Sequence, residues 1–341
     1  MTGQDKGGQT PDDARMETDI WSSYWRGPRL VCSLAGTGIG YPEALVEVWR
    51  RFFAEFPDGT RLLDIATGNG AVAIIASDTA RAFGRRFEVH GCDQADIDPA
   101  AHLRGTGFAT EGIRFHPRTP AEHTGFPAAH FDVVTGQFAL EYTGMEASVA
   151  EAARILKPGG TARFILHMKG SEIYTQTERQ LEDIHLAMTE LGILQKARAM
   201  FAAAWTFDAA GGTDEQRLLE ARQAQEAYLQ AARILDERVP TAAYKELFVS
   251  ILKVVAYQWE HRRQQDPREF AARLDGMERE VALAEKRHAA MCEHALDAAQ
   301  VEQLQGLLEA SGFQRPSLGT LKITMNGVEG SVGWDLRARR R

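Results

Sequence analysis

"LLDIATGNGAVAI", residues 62–74, is an apolar run carrying one aspartate, Asp64, followed by a glycine pair, Gly68 and Gly70, and then by small apolar residues. An apolar run of this length bounded by glycine is the pattern of a strand buried on both faces, as in a parallel sheet. The next residues, "AVAIIASDTARAF" (71–83), read as a helix. Gly68, Gly70 and Ala73 satisfy GxGxxA, and Asp93 follows Gly70 by 23 residues at the end of the next apolar stretch. Taken literally, this is the dinucleotide fingerprint: amides at a helix N-terminus hold a pyrophosphate and the acid takes ribose hydroxyls. A competing frame lies upstream in "RLVCSLAGTGIGYPEALVEVWRRF" (29–52), which offers a strand, Gly36, Gly38 and Gly40, a helix opened by Pro42, and Asp64 as the acid. The downstream turn is preferred, because four further strands follow it and the upstream frame leaves Gly68 and Gly70 without a purpose.

Working outward, "RLLDIA" (61–66), "RFEVHGCD" (86–93), "GIRFHP" (112–117), "FDVVTGQFAL" (131–140) and "TARFILHM" (161–168) read as strands. Helix "MEASVAEAARIL" (145–156) stops at "KPGG", where Pro158 cannot continue it and Gly159 and Gly160 permit a reversal. Five strands joined by short crossovers predict an α/β, doubly wound, mostly parallel sheet, with ligands outside the carboxyl ends of its strands. From Ser171 to about Ala298 the strand signal vanishes and apolar residues recur at helical spacing, as in Phe270, Leu274, Met277 and Val281. That stretch is a large all-helical insertion, and its segment "TAAYKELFVSILKVVAYQW" is apolar nearly all round, which predicts burial. "VEQLQGLLEASGF" (301–313) then returns to the sheet, and "SLGTLKITM" and "GSVGWDLRA" close it as an antiparallel C-terminal edge. The expected organisation is an N-terminal helical or lid segment over 1–58, a core over 59–170, the insertion over 171–298, and a completing helix and strands over 299–341.

Composition narrows the function. With 341 residues, 44% hydrophobic and 25% charged, the chain is an ordinary globular protein. No apolar stretch approaches the roughly 20 residues of a spanning helix, and "MTGQDKGGQTPDDAR" reads as a disordered lead-in without the apolar segment of a secretory signal. Three spaced cysteines, Cys32, Cys92 and Cys292, form neither a disulfide framework nor a zinc set, which suits a cytoplasmic protein. A net charge of −8 argues against a nucleic-acid surface, and the basic terminal "RARRR" reads as a solvated tail.

Asp64 separates the possible ligands. A carboxylate in the last turn of a buried strand is costly to desolvate unless something positive or hydrogen-bonding meets it. It would repel a pyrophosphate and welcome a ligand with an ammonium and a sulfonium. "LLDIATGNGAVAI", "EVHGCDQADI", "FDVVTGQFALEY" and "EAARILKPGGTARFILH", in that order and spacing, resemble the class I S-adenosylmethionine-dependent methyltransferases, near the type 11 small-molecule group. The resemblance covers about residues 60 to 168. It implies a Rossmann-like fold, S-adenosyl-L-methionine as cofactor, and methyl transfer to a small-molecule acceptor, with oxygen, nitrogen or carbon receiving the group.

Carried onto this sequence, the resemblance assigns Asp64, Gly68, Asn69 and Gly70 to the cofactor's methionine portion, with Ala66 where the family has its first glycine. It assigns Asp93 to the ribose hydroxyls, with Gln94 beside the adenosine. Where the family often has an acid against adenine, this chain reads "RTPAEHTGFP", so Thr119, Pro120, Ala121 and Glu122 stand in for that pocket. Gln137 and Phe138 would lie beside the transferred methyl. A base is needed where the acceptor is a hydroxyl, and Glu141, Tyr142 and His167 are the candidates at the strand ends; surface, packing and strand-end roles are open for each. Trp21, Tyr24 and Trp25 in "DIWSSYWRGPRL" form a lid over the site or pack the N-terminal segment onto the sheet. His288, Cys292 and His294 lack the further ligands a metal needs, so no metal is expected. The insertion, with Tyr244, Phe248, Tyr257 and Trp259, either caps the site or forms a homodimer interface. The alternatives to a small-molecule enzyme are an RNA or protein methyltransferase and a nicotinamide-dependent oxidoreductase.

Overall fold

Seven strands form one sheet: β1 (Arg61–Ile65), β2 (Glu88–Cys92), β3 (Ile113–His116), β4 (Phe131–Gln137), β5 (Leu156–Leu166), β6 (Phe313–Met325) and β7 (Val328–Arg340). The structure is a computed structural model that describes residues 20–32, 40–325 and 327–341. Their spatial order is β3-β2-β1-β4-β5-β7-β6. β1 pairs in parallel with β2 and β4, and β2 with β3 and β4 with β5 likewise, whereas β7 runs antiparallel to both β5 and β6. The closing hairpin thus folds its second strand inward, and β6 at the edge points the same way as the first five. The chain winds outward from β1 to β3 and returns to β4, so the switch point lies between β1 and β4, where a ligand crevice opens at their carboxyl ends.

β1 is buried at four of its five residues because it lies in the middle of the sheet. Helix α3 (Ala71–Ala82) follows it, and its small buried side chains, Ala71, Ala73, Ala76 and Ala80, let it lie close to the strands. Ahead of β1 come α1, over residues 20–25, and α2 (Glu43–Phe53), which buries Leu45, Trp49, Phe52 and Phe53. After β2 there is the single turn α4 (Pro99–His102), and α5 (Met145–Ile155) precedes β5. The strand required by the upstream glycine frame is absent over residues 29–32; Gly36 and Gly38 lie outside the described residues, as does the N-terminal lead-in.

Two sequence expectations need correction. The "KPGG" segment is not a free reversal: β5 begins at Leu156 and carries it through a register shift between Phe131 and Val133. Nor is "RARRR" a solvated tail, because β7 reaches Arg340 with Leu336 and Ala338 buried. Arg337 donates to Glu55, Arg339 to the Gly159 carbonyl, and Arg340 to the Ala153 and Gly312 carbonyls.

The chain divides into a sheet unit, Met1–Tyr174 with His294–Arg341, and a helical unit, Thr175–Glu293. The sheet unit's core is built on Leu63, Val134, Phe131, Phe164 and Phe313, and α11 (Ala298–Ala310) adds Val301, Leu304 and Leu308. α11 starts with a reciprocal capping box between Asp297 and Gln300. Between them lie α6 (Glu172–His185), α7 (Ile193–Ala209), α8 (Glu215–Arg238), α9 (Lys245–Glu260) and α10 (Pro267–His294). The helical unit's core gathers Phe201, Phe248, Phe270 and Leu274, with the rings of Phe201 and Phe270 stacked at 3.8 Å. The predicted all-round burial of α9 is not found, since Tyr257 is 57% exposed. Among the described residues no helix is long and apolar enough to cross a membrane.

Candidate active site

Asp64 ends up almost fully buried, 2% exposed, at the carboxyl end of β1. Thr67 donates its hydroxyl to Oδ2 at 2.6 Å, and Thr135, alongside on β4, donates to Oδ1 at 2.9 Å. Asp93, just past β2, accepts from the backbone N–H of Gly68 and of Ala95, both at 2.8 Å. Among the described residues neither acid is paired with a cation. Burial therefore dominates both, raising Asp64 to about 7 and Asp93 to about 6 against partial opposition from those hydrogen bonds.

The two acids share the wall of one cavity at the switch point. Of the residues singled out in the sequence, Trp21, Trp25, Asp64, Ala66, Asp93, Gln94, Ala121, Gln137, Phe138 and Tyr142 line it. Among the described residues no lysine, arginine or histidine does. Ala66 and Phe138 hold φ of 45° and 53°, a left-handed conformation that side chains adopt at a cost of roughly 1–2 kcal/mol per residue. Such strain concentrates where a surrounding structure over-determines the backbone, often at functional sites. Trp49, fully buried on α2, donates its indole N–H to Gln137 Oε1 and thereby fixes the orientation of that amide. Arg163 lies over the Trp49 ring at 5.0 Å and is held by Asp335, which supports the indole from behind.

Other expected site residues are placed elsewhere. Gly68 and Gly70, at φ of 54° and 85°, make room for protein rings: a Cβ on Gly68 would meet the Trp25 ring at 2.5 Å, and one on Gly70 would meet Phe115 at 2.7 Å. Asn69 spends its amide hydrogens on the carbonyls of Trp25, Gly27 and Arg29. Of the four residues offered for the adenine pocket only Ala121 reaches the wall. Thr119 donates to the Pro117 carbonyl, Pro120 accepts from the His123 N–H, and the Glu122 carboxylate accepts from the Gly144 N–H. Tyr24 turns its hydroxyl to the Val31 carbonyl.

Glu141 and His167 lie outside the cavity wall and pair with each other. Glu141 Oε1 accepts from the backbone N–H of His167 at 2.8 Å and contacts Nδ1 at 2.7 Å. Glu141 Oε1 thus holds both the backbone and the ring of His167 in place. Nε2 and Glu141 Oε2 are both buried and make no hydrogen bond among the described residues. The imidazole stacks on Phe138 at 4.3 Å and meets Tyr142 edge-on at 5.8 Å, so the two cavity rings stand against it.

The sequence reading missed Leu30, Cys32, Tyr41, Thr67 and Thr143, all in the wall. Desolvation raises the Tyr41 phenol well above its ordinary value, and nearby Cys32 and Asp64 add to it. Thr67 had a local signal, a hydroxyl three residues after a strand-end aspartate; Leu30 and Tyr41 belong to no motif. In the helical unit Phe248 is fully buried in that unit's own core and Tyr257 faces outward. His288 lies tilted against Tyr244 at 5.7 Å, while His294, in the sheet unit, lies against Tyr142 at 5.0 Å. Among the described residues no three His, Cys, Asp or Glu side chains converge as a metal site.

Two buried carboxylates without a counter-cation, at the switch point of a sheet ordered 3-2-1-4-5-7-6, suit a ligand that brings an ammonium, a sulfonium and a pair of hydroxyls. They would repel a pyrophosphate. Residues 63–164 match the model of the type 11 methyltransferase domain family. The ubiquinone/menaquinone biosynthesis C-methyltransferase UbiE of Xanthomonas oryzae is 27% identical over 195 residues, 56% of this chain and 71% of that protein. The UbiE of Ralstonia pickettii is 32% identical over 142 residues, 40% of this chain and 54% of that protein. Among solved structures, a possible histamine N-methyltransferase of Thermotoga maritima matches at TM-score 0.39 and 10% identity, covering 88% of this chain and 90% of that one. The [4+2]-cyclase SpnF matches at TM-score 0.35 and 21% identity, covering 46% of this chain and 59% of that one. The chain is an S-adenosylmethionine-dependent methyltransferase whose family match lies over residues 63–164. Within that class, it carries the type 11 methyltransferase domain, and S-adenosylmethionine is its cofactor.

Proposed function

We propose that this enzyme methylates a small, uncharged, electron-rich ring, and that the cavity at the switch point holds the cofactor with Asp64 at its methionine end and Asp93 on its ribose hydroxyls. Gln94 and Ala121 would lie beside the adenosine, and Gln137 and Phe138 beside the transferred methyl. The carrying observation is the pair of buried, cation-free carboxylates in one cavity wall. The aromatic lining by Trp21, Trp25, Phe138 and Tyr142, with no basic side chain among the lining residues, favours a neutral planar acceptor over a phosphate or carboxylate. The UbiE relatives are named as C-methyltransferases of quinone biosynthesis, which supports a ring carbon as the methylated atom.

S-adenosylmethionine supplies a methyl group already activated on sulfur, so the protein's task is alignment and exclusion of water. Trp49 orients Gln137, and the strand ends of β1 and β4 fix the carboxylate and the rings. His167, held by the Glu141 carboxylate, stands behind Phe138 and Tyr142 and positions those two cavity rings without touching the acceptor. His167→Gln is expected to lower turnover on such an acceptor while S-adenosylhomocysteine affinity stays within about twofold. The decisive experiment is calorimetric titration with S-adenosylhomocysteine and with NAD: binding of the first alone is expected, and binding of NAD alone sinks the reading.

A further inference from the structure

Residues 20–32 form a strap that supplies Trp21, Trp25, Leu30 and Cys32 to the cavity wall. Its attachment converges on one side chain of the loop between β1 and α3. Asn69 Nδ2 donates to the carbonyls of Trp25 at 3.0 Å, Gly27 at 3.3 Å and Arg29 at 2.7 Å, and the residue is fully buried. Two amide hydrogens thus serve three consecutive odd-numbered carbonyls, an arrangement that only a side chain lying along the strap can make. The glycines on either side let it do so. Gly68 presents a bare Cα to the Trp25 ring, and its N–H is donated to Asp93. A second tether joins Ser22 Oγ to the Asp96 N–H at 3.0 Å, and Trp25 packs with Ala95 and Ile97 just beyond Asp93. Tyr24 donates to the Val31 carbonyl and ties the strap to itself.

The same three-residue turn therefore holds Asp93 on one side and the strap on the other. A ligand touching Asp64, Asp93 and Gln94 lies behind a wall that Asn69 fastens. We propose that Asn69 is a positioning residue that latches the strap over the cofactor cavity, so that its amide, rather than any contact with the cofactor, governs how fast the cofactor enters and leaves. This rests on the reading of the cavity as the cofactor site. The Nδ2 donors of Asn69 are committed to the strap, while its Oδ1 is buried without a hydrogen bond among the described residues. Loss of the amide frees the strap without touching either carboxylate. Replacement by an acid is worse, because carboxylate oxygens would then face three carbonyl oxygens.

The test uses the full chain and S-adenosylhomocysteine as probe. Release and association are followed by stopped-flow tryptophan fluorescence, which Trp21 and Trp25 report, and the strap by amide hydrogen exchange over residues 20–32. Asn69→Ala is expected to speed release at least tenfold and strap exchange by a similar factor, with the melting temperature little changed. Asn69→Asp should exceed it, and Ser22→Ala should move both rates in the same direction by about threefold. A variant that only melts earlier, with release and strap exchange unchanged, overturns the latch, as does unaltered exchange in Asn69→Asp. Failure of wild-type protein to bind S-adenosylhomocysteine would instead overturn the cofactor reading, and strap exchange in the unliganded variants would still decide the latch.

Discussion

The two units of this chain bury different things. The sheet unit sinks Asp64, Asp93, Glu141, His167 and Arg163 among its apolar residues, whereas the described core of the helical unit buries little that is polar beyond Thr177, Asp183 and Gln258. Asp183 there is accounted for by accepting from the Tyr244 N–H. The non-glycine residues described at positive φ, Ala66, Arg118, Ala129, Phe138 and Arg315, also fall in the sheet unit. Desolvated charge and strained backbone both cost stability, and a fold keeps them where something other than stability needs them. The contrast is that of a working core and a packing core, and it makes opposite predictions for substitutions of similar burial.

The largest effect is expected in the packing core. Phe248→Ala removes a fully buried ring from the core it shares with Phe201, Phe270 and Leu274 and should cost about 3–5 kcal/mol. Thermal and denaturant melts read that loss, and calorimetry of the still-folded variant should give nearly wild-type S-adenosylhomocysteine affinity. Next comes the working core, where the signs part. Asp64→Asn should weaken S-adenosylhomocysteine binding about 100-fold or more, equivalent to about 2.7 kcal/mol. The unliganded protein should melt higher than wild type, since the variant no longer buries a carboxylate that resists ionisation until about pH 7. A variant that melts lower and binds normally would erase the distinction between the cores.

Acidity sharpens the same contrast by about tenfold. In the free protein Asp64 and Asp93 take up protons near pH 7 and 6, both raised by burial above the unfolded value of 3.8. A group raised in this way holds its proton better folded than unfolded, so its contribution to stability falls as pH rises from about 4 towards 7. Binding of a cationic ligand needs the carboxylates ionised, so affinity should rise about tenfold between pH 6 and 8, and more steeply below 6. Calorimetry in buffers of different ionisation heat should detect the released proton, and Asp64→Asn should flatten the slope above pH 6. His90 and His116, whose ring nitrogens meet at 2.9 Å, pull the other way: burial lowers both, and stability is lost as pH falls below their unfolded range near 6.5. The difference between wild type and Asp64→Asn removes that background.

How much of this was legible in the sequence follows from the range of the interactions involved. β1, its turn and α3 were readable because burial on both faces leaves an unbroken apolar run, and because a carboxylate inside such a run demands a partner. Asp64 and Asp93 followed from their places at strand ends, and Gln137 from the family resemblance. In the strap the rings of Trp21, Tyr24 and Trp25 were marked as a lid or as packing, whereas Leu30, and Tyr41 beyond the strap, reach the cavity across chain distances that no period marks. Asn69 was assigned to the methionine portion by the family resemblance, and its part in fastening the strap was not legible, because the flanking glycines seat Trp25 and Phe115. The error over "RARRR" was avoidable, since Leu336 and Ala338 alternate with Arg337 and Arg339, the period of a strand with one buried face. The "KPGG" segment misled because glycine and proline mark an irregular strand start as well as a turn.

The smallest effect concerns strain alone. Ala66 occupies a left-handed position at φ 45° in the cavity wall, where glycine would sit without steric cost. Ala66→Gly removes a penalty of roughly 1–2 kcal/mol in the folded state and adds back about 0.4–1 kcal/mol of unfolded-chain entropy. The net gain should be within about 1 kcal/mol, visible as a rise of a degree or two in melting temperature at unchanged S-adenosylhomocysteine affinity. The matching change in the packing core has the opposite sign. Ala197→Gly, in the middle of α7 where the backbone is already relaxed, should lose about 1 kcal/mol or more, through propensity and lost packing together. If both substitutions destabilise alike, the backbone at Ala66 carries no strain, and the sheet unit differs from the helical one only in its buried charges.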